Sequence, residues 1–180
     1  SQFCNYSFQR RWIARYDGGG RQRWLRQYEP GPKFGFGFKG AASDSSGGLF
    51  TAWQVVGSGV GGDVVVGRFD SDGELIWARQ FGSLAGDVVT ALGIDGIGGV
   101  FVVGFTSGSL AAPNAGDYDT WIARYDASGN QLSIMQFGGT GADAAGSVAP
   151  DGFGGAFLGG TTTGSLAGPH LGLTDAWIAH

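Results

Sequence analysis

The chain has 180 residues, a formal net charge of −4, and 37 glycines. Glycine is about three times as frequent as its usual share of roughly 7%, yet no collagen triplet accompanies it, so a collagen-like protein is excluded. No run of 18 apolar residues exists, which excludes a membrane-spanning helix. A single cysteine, Cys4, excludes an internal disulfide.

One segment occurs four times along the chain. Its copies are Trp12–Asp17 (WIARYD), Val65–Asp70 (VVGRFD), Trp121–Asp126 (WIARYD) and Trp177–His180 (WIAH). Successive copies begin 53, 56 and 56 residues apart. A nearly constant period of this size indicates a repeat architecture, in which each unit buries its apolar face against its neighbours.

The predicted elements follow the repeat in chain order. Residues 11–28 predict two strands, 36–81 four, 88–137 four and 144–180 three. No 3.6-residue periodicity extends over twelve residues, so no helix is predicted. In the clearest copy the four strands are expected at Val88–Ile94, Val100–Thr106, Asp119–Tyr125 and Gln131–Phe137.

Two kinds of aspartate-glycine turn separate the strands. Asp95–Gly99 joins the first strand to the second, and Asp126–Gly129 joins the third to the fourth. In such turns the aspartate side chain binds backbone ahead of it, and glycine takes a positive φ. Four antiparallel strands in a unit of this length are typical of a β-propeller blade. The sequence therefore predicts an all-β fold of blades with a period of about 53–56 residues.

The repeat also resembles a known family. The pattern Asp-x-Trp-Ile-Ala-Arg-Tyr-Asp-x-x-Gly, then Gln-Phe-Gly, then Asp-x-x-Gly-Gly-x-Phe-x-x-Gly-x-Thr is similar to the bacterial beta-propeller repeats called SBBP, over about 170 residues of this chain. Members are typically secreted or surface-attached. The resemblance implies an extracellular or cell-surface location in a bacterium, with the periplasm as the alternative. It supplies no catalytic residues.

The family's strand order implies a division of the chain into blades. The whole chain, residues 1–180, would be one partial propeller segment. It would comprise an outer half-blade at 11–28, blades at 36–81 and 88–137, and an incomplete blade at 144–180. We expect a longer parent protein, with a ring of several copies or an open arc as alternatives.

Binding residues are expected on the loops, because loops carry function on rigid scaffolds. The loops between blades and those from second to third strand should share one face: Gly82–Asp87, Ser107–Tyr118, Gly138–Asp143 and Thr163–Thr174. The candidate ligand- or partner-binding residues are Asn114, Asp117, Tyr118, His170 and Thr174.

The repeated tryptophans Trp12, Trp121 and Trp177 are predicted to pack between neighbouring sheets. Their alternative role is a sugar-stacking site, which requires an exposed ring. Small residues of the innermost strands, Gly93 and Gly146, are expected at a crowded axis.

No metal site, cofactor or catalytic site is predicted. Asp70–Glu74 resembles the start of a calcium loop but lacks the later ligands, so a plain hairpin turn is preferred. Asp87 and Asp143 recur between blades, where they would cap backbone amides or, alternatively, ligate an ion. His180 occupies the arginine position of the repeat and is interpreted as a structural variant.

Charge is unevenly distributed. Residues 1–39 hold eight Lys or Arg against two acidic residues, whereas the remainder holds three against thirteen. The basic part could contact an anionic partner or another subunit, or could simply be a solvated face. The basic residues do not continue through the repeats, so nucleic acid is not expected as a partner.

The sequence thus favours a non-enzymatic structural or protein-binding segment of a bacterial secreted or cell-surface protein, or of a larger assembly. Its partners would be a protein or other subunits. The alternative is a lectin-like module that binds glycans. A second alternative is part of a hydrolase whose site lies outside this chain.

Overall fold

The structure is a computed structural model that describes residues 11–28, 36–56, 61–166 and 168–180. Within these ranges the chain forms β-strands and no helix, so the all-β prediction is confirmed and no described helix is available to cross a membrane. The thirteen strands are β1 (Arg11–Tyr16), β2 (Gln22–Tyr28), β3 (Phe36–Ser43), β4 (Leu49–Val56), β5 (Gly62–Phe69), β6 (Leu75–Phe81), β7 (Asp87–Ile94), β8 (Val100–Thr106), β9 (Asp119–Tyr125), β10 (Gln131–Phe137), β11 (Asp143–Pro150), β12 (Ala156–Thr162) and β13 (Asp175–Ala179).

The strands form four antiparallel sheets that follow the chain. Their orders are β1-β2, β3-β4-β5-β6, β7-β8-β9-β10 and β11-β12-β13. Every hydrogen-bonded neighbour is also a neighbour in sequence, so each sheet is a simple meander joined by short turns and loops. The predicted strands of the third unit coincide with β8, β9 and β10, and β7 begins one residue earlier than predicted, at Asp87.

The turn glycines explain why the hairpins close at fixed places. Gly20, Gly73 and Gly129 have φ of 78°, 82° and 83°, a left-handed conformation that costs other residues energy. In each turn the preceding aspartate accepts backbone N–H bonds. Asp126 Oδ1, for example, accepts from Ser128 and Asn130 at 2.8 and 2.9 Å.

Successive sheets pack through their first strands. β7 lies against β3, β4 and β5 of the preceding sheet, and β11 lies against β7, β8 and β9. In the last two sheets the first strand therefore lies between its one neighbour in the same sheet and the preceding sheet. Thr90 adds a specific link, because its hydroxyl donates to Ala145 O in the next sheet at 2.7 Å.

The main core lies between the β3–β6 and β7–β10 sheets. Phe50, Val64 and Val66 of the first sheet belong to one cluster with Val100 and Trp121 of the second. A further cluster joins the β7–β10 sheet to the β11–β13 sheet, and its buried members are Phe101, Val103, Ala145, Ala156 and Leu158. β5 and β8 are covered on both faces. Their sequences are therefore nearly continuous apolar runs, without the alternation of apolar and polar residues found in a strand with one exposed face.

The prediction of a crowded inner strand holds at Gly93 and not at Gly146. A Cβ at Gly93 would lie 2.9 Å from Pro150 Cδ in the next sheet. Gly146 is exposed, and the nearest atom to a Cβ there would be Gly159 O at 3.9 Å. Gly146 occupies the place in β11 that Thr90 has in β7, since a register shift makes each an extra residue. Thr90 contacts the following sheet, whereas no described sheet follows β11–β13.

Candidate functional site

The long loops meet at one end of the sheets, which we call the loop edge. It comprises residues 82–86, 107–118, 138–142 and 163–174 apart from 167. Backbone hydrogen bonds connect these loops across the sheets: Ser107 N donates to Gly86 O at 3.0 Å, Asp117 N to Gly141 O at 3.1 Å, and Thr163 N to Ala142 O at 3.1 Å. The loops that the sequence assigned to one face therefore form one continuous surface.

Asn114 and His170 occupy equivalent positions on this edge. The amide of Asn114 is used within its own loop, donating to Thr106 O at 3.3 Å and accepting from Gly116 N at 2.9 Å. His170 is half-buried, with Nε2 4.0 Å from Asp175 Oδ2. Asn114 therefore stabilises its own loop, whereas His170 Nε2 is buried without a hydrogen-bond partner. Both stay predicted binding residues.

The other three candidates, Asp117, Tyr118 and Thr174, are exposed. The ring of Tyr118 lies 5.2 Å from that of Phe105, which holds it against the sheet. Asp117 and Thr174 belong to separate loops, and no hydrogen bond between them is present among the described residues. The structure thus places all five candidates on the loop edge without converging them on one pocket.

Sequence reasoning missed the most exposed apolar residues of the loop edge. Leu84, Leu171 and Leu173 are 80%, 87% and 93% exposed. Each lies in a glycine-rich loop outside any strand, where an apolar side chain has no sheet face to bury. A leucine in a loop outside every predicted strand is the signal from which they could have been identified.

The repeated tryptophans differ in exposure. Trp121 is fully buried and contacts Phe81 of the preceding sheet edge to face at 5.2 Å, so its predicted role between sheets holds. Trp177 is partly buried in the next core cluster. Trp12 is 62% exposed, and it borders a cavity of about 340 Å³ whose lining includes Phe38 and Lys39.

The opposite end of the sheets, which we call the turn edge, contains the aspartate-glycine turns, among them 44–48, 95–99, 126–129 and 151–155. A buried ion pair lies there. Asp95 Oδ1 accepts from Ile97 N and Gly99 N at 3.0 and 2.7 Å, and Asp95 Oδ2 accepts from Arg124 Nη2 at 2.8 Å. Burial alone would raise the pKa of Asp95, but the bonds from Arg124 and the two amides outweigh it and lower the pKa. Arg124 also donates to Gly154 O in the next sheet at 3.1 Å.

We call this arrangement the arginine clamp: an arginine binds the aspartate of a turn in its own sheet and a backbone carbonyl of the next sheet. A similar arrangement recurs in the neighbouring sheets. Arg68 Nη2 binds Asp44 Oδ2 at 2.8 Å, and its Nη1 donates to Ala127 O of the next sheet at 3.0 Å. In the last sheet His180 Nε2 lies 2.9 Å from Asp151 Oδ2. This hydrogen bond is the main cause of the lowered pKa of Asp151. His180 therefore occupies the arginine position as interpreted from the sequence.

The aspartates considered as metal ligands serve turns and caps. Asp70 Oδ1 accepts from Asp72 N and Glu74 N, both at 2.9 Å, which is the geometry of a plain hairpin turn. Asp87 Oδ2 and Asp143 Oδ2 accept backbone N–H bonds from Ser83 and Gly139 at 2.5 and 2.6 Å.

Across the described ranges, no three His, Cys, Asp or Glu side chains gather as a metal cluster. Cys4 lies outside those ranges.

No protein-family model matches the chain, and no curated protein matches its sequence. The similarity to SBBP repeats stays a prediction, and the function is argued from the geometry of the two edges.

Proposed function

We propose that this chain is a non-enzymatic, protein-binding segment of a β-propeller in a secreted or cell-surface bacterial protein, working as part of a larger assembly. Three features support the propeller. Each unit of the repeat forms its own antiparallel meander, successive meanders pack through their first strands, and Trp121 and the arginine clamps connect one sheet to the next. The bacterial surface location rests on the SBBP resemblance.

The observation that carries the binding role is the exposed leucines of the loop edge. Leu84, Leu171 and Leu173 project from loops that hydrogen bonds hold in fixed positions. The four loops contain no Lys or Arg. An exposed apolar set on a rigid surface, without basic charge, favours a protein partner over a polyanion.

Photo-crosslinking tests this proposal. A benzoyl-phenylalanine at position 173 of the loop edge should form an adduct with a protein from a surface extract of the producing cells. Phe153 is 96% exposed on the turn edge and provides the matched control position. We expect at least a fivefold stronger adduct at 173, and its loss when Leu171→Ser is added.

Equal labelling at both positions, or labelling at neither, would contradict a binding role for the loop edge. Leu171 and Leu173 are almost fully exposed, so serine there should leave folding intact. A circular dichroism spectrum and a urea midpoint equal to those of the unmodified protein would verify this.

Trp12 favours glycan binding as the second candidate function. Its exposed ring beside the 340 Å³ cavity, with Lys39 in the lining, combines a stacking surface with a charged group. A glycan array probed with the wild type and with Trp12→Ala separates the two functions. Binding that disappears in Trp12→Ala would replace the protein-binding proposal, and an array without signal would leave it in place. The hydrolase alternative places its site outside this chain, so no described residue supports it.

A further inference from the structure

Two pairs of buried aspartates occupy equivalent places between successive sheets. Asp63 and Asp87 lie on either side of Gly82, and Asp119 and Asp143 lie on either side of Gly138. A Cβ at Gly138 would be 2.2 Å from Asp119 Oδ1 and 3.1 Å from Asp143 Oδ2. Asp119 Oδ1, which has no partner, and Asp143 Oδ2, which accepts from Gly139 N, therefore border the same small space. Their residues are 1% and 0% exposed.

Glutamine and backbone amides satisfy part of each pair. Gln80 Nε2 donates to Asp63 Oδ2 at 2.7 Å, and Gln136 Nε2 donates to Asp119 Oδ2 at 2.9 Å. Asp119 Oδ2 also accepts from Ala115 N at 3.1 Å. These neutral donors orient the carboxylates, but they bring no positive charge.

The two pairs differ at one residue. Beside Asp87, the hydroxyl of Ser83 lies 3.2 Å from Oδ1 and 3.1 Å from Oδ2. The equivalent residue beside Asp143 is Gly139, where a Cβ would lie 2.4 Å from Ser165 O, so a side chain does not fit. Asp143 Oδ1 therefore lacks the hydroxyl partner that Asp87 Oδ1 has. Both Asp143 Oδ1 and Asp119 Oδ1 are buried without a hydrogen-bond partner.

Two buried carboxylates with unsatisfied oxygens require a compensating charge. Each carboxylate has neutral donors on Oδ2 alone, so its charge is not neutralised within the site. Among the described residues, the ion pairs of Lys, Arg and His reach other acids and not Asp119 or Asp143. The positive charge would therefore have to come from outside the side chains of this site.

We propose that Asp119 and Asp143 bind one calcium ion between the β7–β10 and β11–β13 sheets. The two unpartnered oxygens are hard ligands, and no thiol or imidazole accompanies them, which favours calcium over zinc. Calcium is favoured over magnesium because magnesium retains several of its waters, which suits a buried site poorly. Backbone carbonyls of the glycine-rich loop 138–141 and water would complete the coordination.

The ion would join two loops of the loop edge. Asp119 directly follows the loop 107–118 as the first residue of β9, and Asp143 directly follows the loop 138–142 as the first residue of β11. Binding would hold these loops together and stabilise the packing of β11 on β9. In the first pair Ser83 supplies its hydroxyl to Asp87. We therefore expect that pair to bind no ion and the stoichiometry to be one calcium per chain.

Equilibrium dialysis of the wild-type protein against ⁴⁵Ca²⁺ tests the site without any substitution. We expect one bound ion per chain. Calcium at a hundred times the dissociation constant should also raise the melting temperature by about 5–10 °C, as linkage requires for a domain of this size. Absence of saturable binding, or a melting temperature that calcium does not raise, would overturn the proposal.

Asp119→Asn and Asp63→Asn form a matched pair of variants. Each replaces a buried carboxylate that accepts a glutamine amide beside a glycine. Asp119→Asn should weaken calcium binding at least tenfold, whereas Asp63→Asn should leave it within twofold. Terbium luminescence sensitised by nearby Trp121 reports the same site and should decrease only in Asp119→Asn. Equal affinity in the two variants, or equal loss in both, would contradict the assignment.

Discussion

Two copies of one six-residue sequence, Trp12–Asp17 and Trp121–Asp126, form the same strand and turn but differ in burial. Trp12 is 62% exposed and Trp121 is fully buried, and the tyrosines differ similarly, with Tyr16 56% exposed and Tyr125 2%. Both strands pair with the strand that follows and end in an aspartate-glycine turn. β9 also pairs with β8 on its other side, whereas β1 pairs among the described residues with β2 alone. Local sequence therefore specifies the hairpin, whereas neighbouring strands and sheets determine the burial and hence the stability that each residue contributes.

The largest test of this comparison removes the two tryptophan rings in turn. Trp121→Ala should destabilise the protein by about 3–5 kcal/mol, because it opens a cavity between sheets. Trp12→Ala should cost about 0.5 kcal/mol, as for other exposed positions. Urea unfolding followed by circular dichroism measures both, and similar midpoints for the two variants would show that burial does not separate the copies.

The arginines of the two copies provide the next test. Arg124→Ala leaves Asp95, which is 1% exposed at its side chain, without its charged partner, and should cost about 3 kcal/mol. Arg15 is exposed and donates to Ser71 O at 3.1 Å, so Arg15→Ala should cost about 1 kcal/mol. The difference in urea midpoint measures the contribution of the clamp. A larger loss of stability in Arg15→Ala than in Arg124→Ala would contradict this contribution.

Alanine substitutions at two turn glycines distinguish the free-energy cost of backbone strain from that of steric overlap with a neighbouring sheet. Gly20 and Gly129 have φ of 78° and 83°, so alanine at either position should cost about 1–2 kcal/mol. A Cβ at Gly20 would meet no atom within 4 Å, whereas one at Gly129 would lie 2.7 Å from the Trp77 ring. Gly129→Ala should therefore cost about 1–3 kcal/mol more. Equal thermal unfolding midpoints would show that Trp77 moves away freely.

Acid should weaken the central sheets through their clamps. The pKa of Asp44 and that of Asp95 are lowered from 3.8, because bonds to arginine, backbone amides and, for Asp44, Ser46 outweigh the opposing effect of burial. The unfolded chain then binds protons first, so this stability is present above about pH 4 and is lost as pH falls through the folded pKa. Each unit of lowering corresponds to about 1.4 kcal/mol.

Urea midpoints measured between pH 6 and pH 2.5 test this effect. The wild type should lose stability below about pH 4, and Asp95→Asn should show a shallower loss because it has no proton to bind at that position. If the urea midpoints of the two proteins fell equally with pH, the clamp would not be the cause of the acid sensitivity.

Much of the architecture could be predicted from the sequence because the repeat is local. Strands β8, β9 and β10 and the positive-φ glycines follow from motifs of a few residues. The Asp95–Arg124 clamp could not be found this way, since its residues are 29 positions apart and meet only when two turns share an edge. The candidate site was predicted at the level of its face. Asn114 turned out to stabilise its own loop, and the exposed leucines were missed because apolar residues in loops carry no periodic signal.

Residue-resolved hydrogen exchange tests most directly the central claim, that contacts with neighbouring strands and sheets rather than the repeated sequence determine stability. Amides of the shared sequence WIARY in β1 and β9 are compared in one sample of the wild-type protein. We predict that Trp121 and Ala123 exchange at least a hundredfold more slowly than Trp12 and Ala14. Equal protection of the two strands would contradict the account.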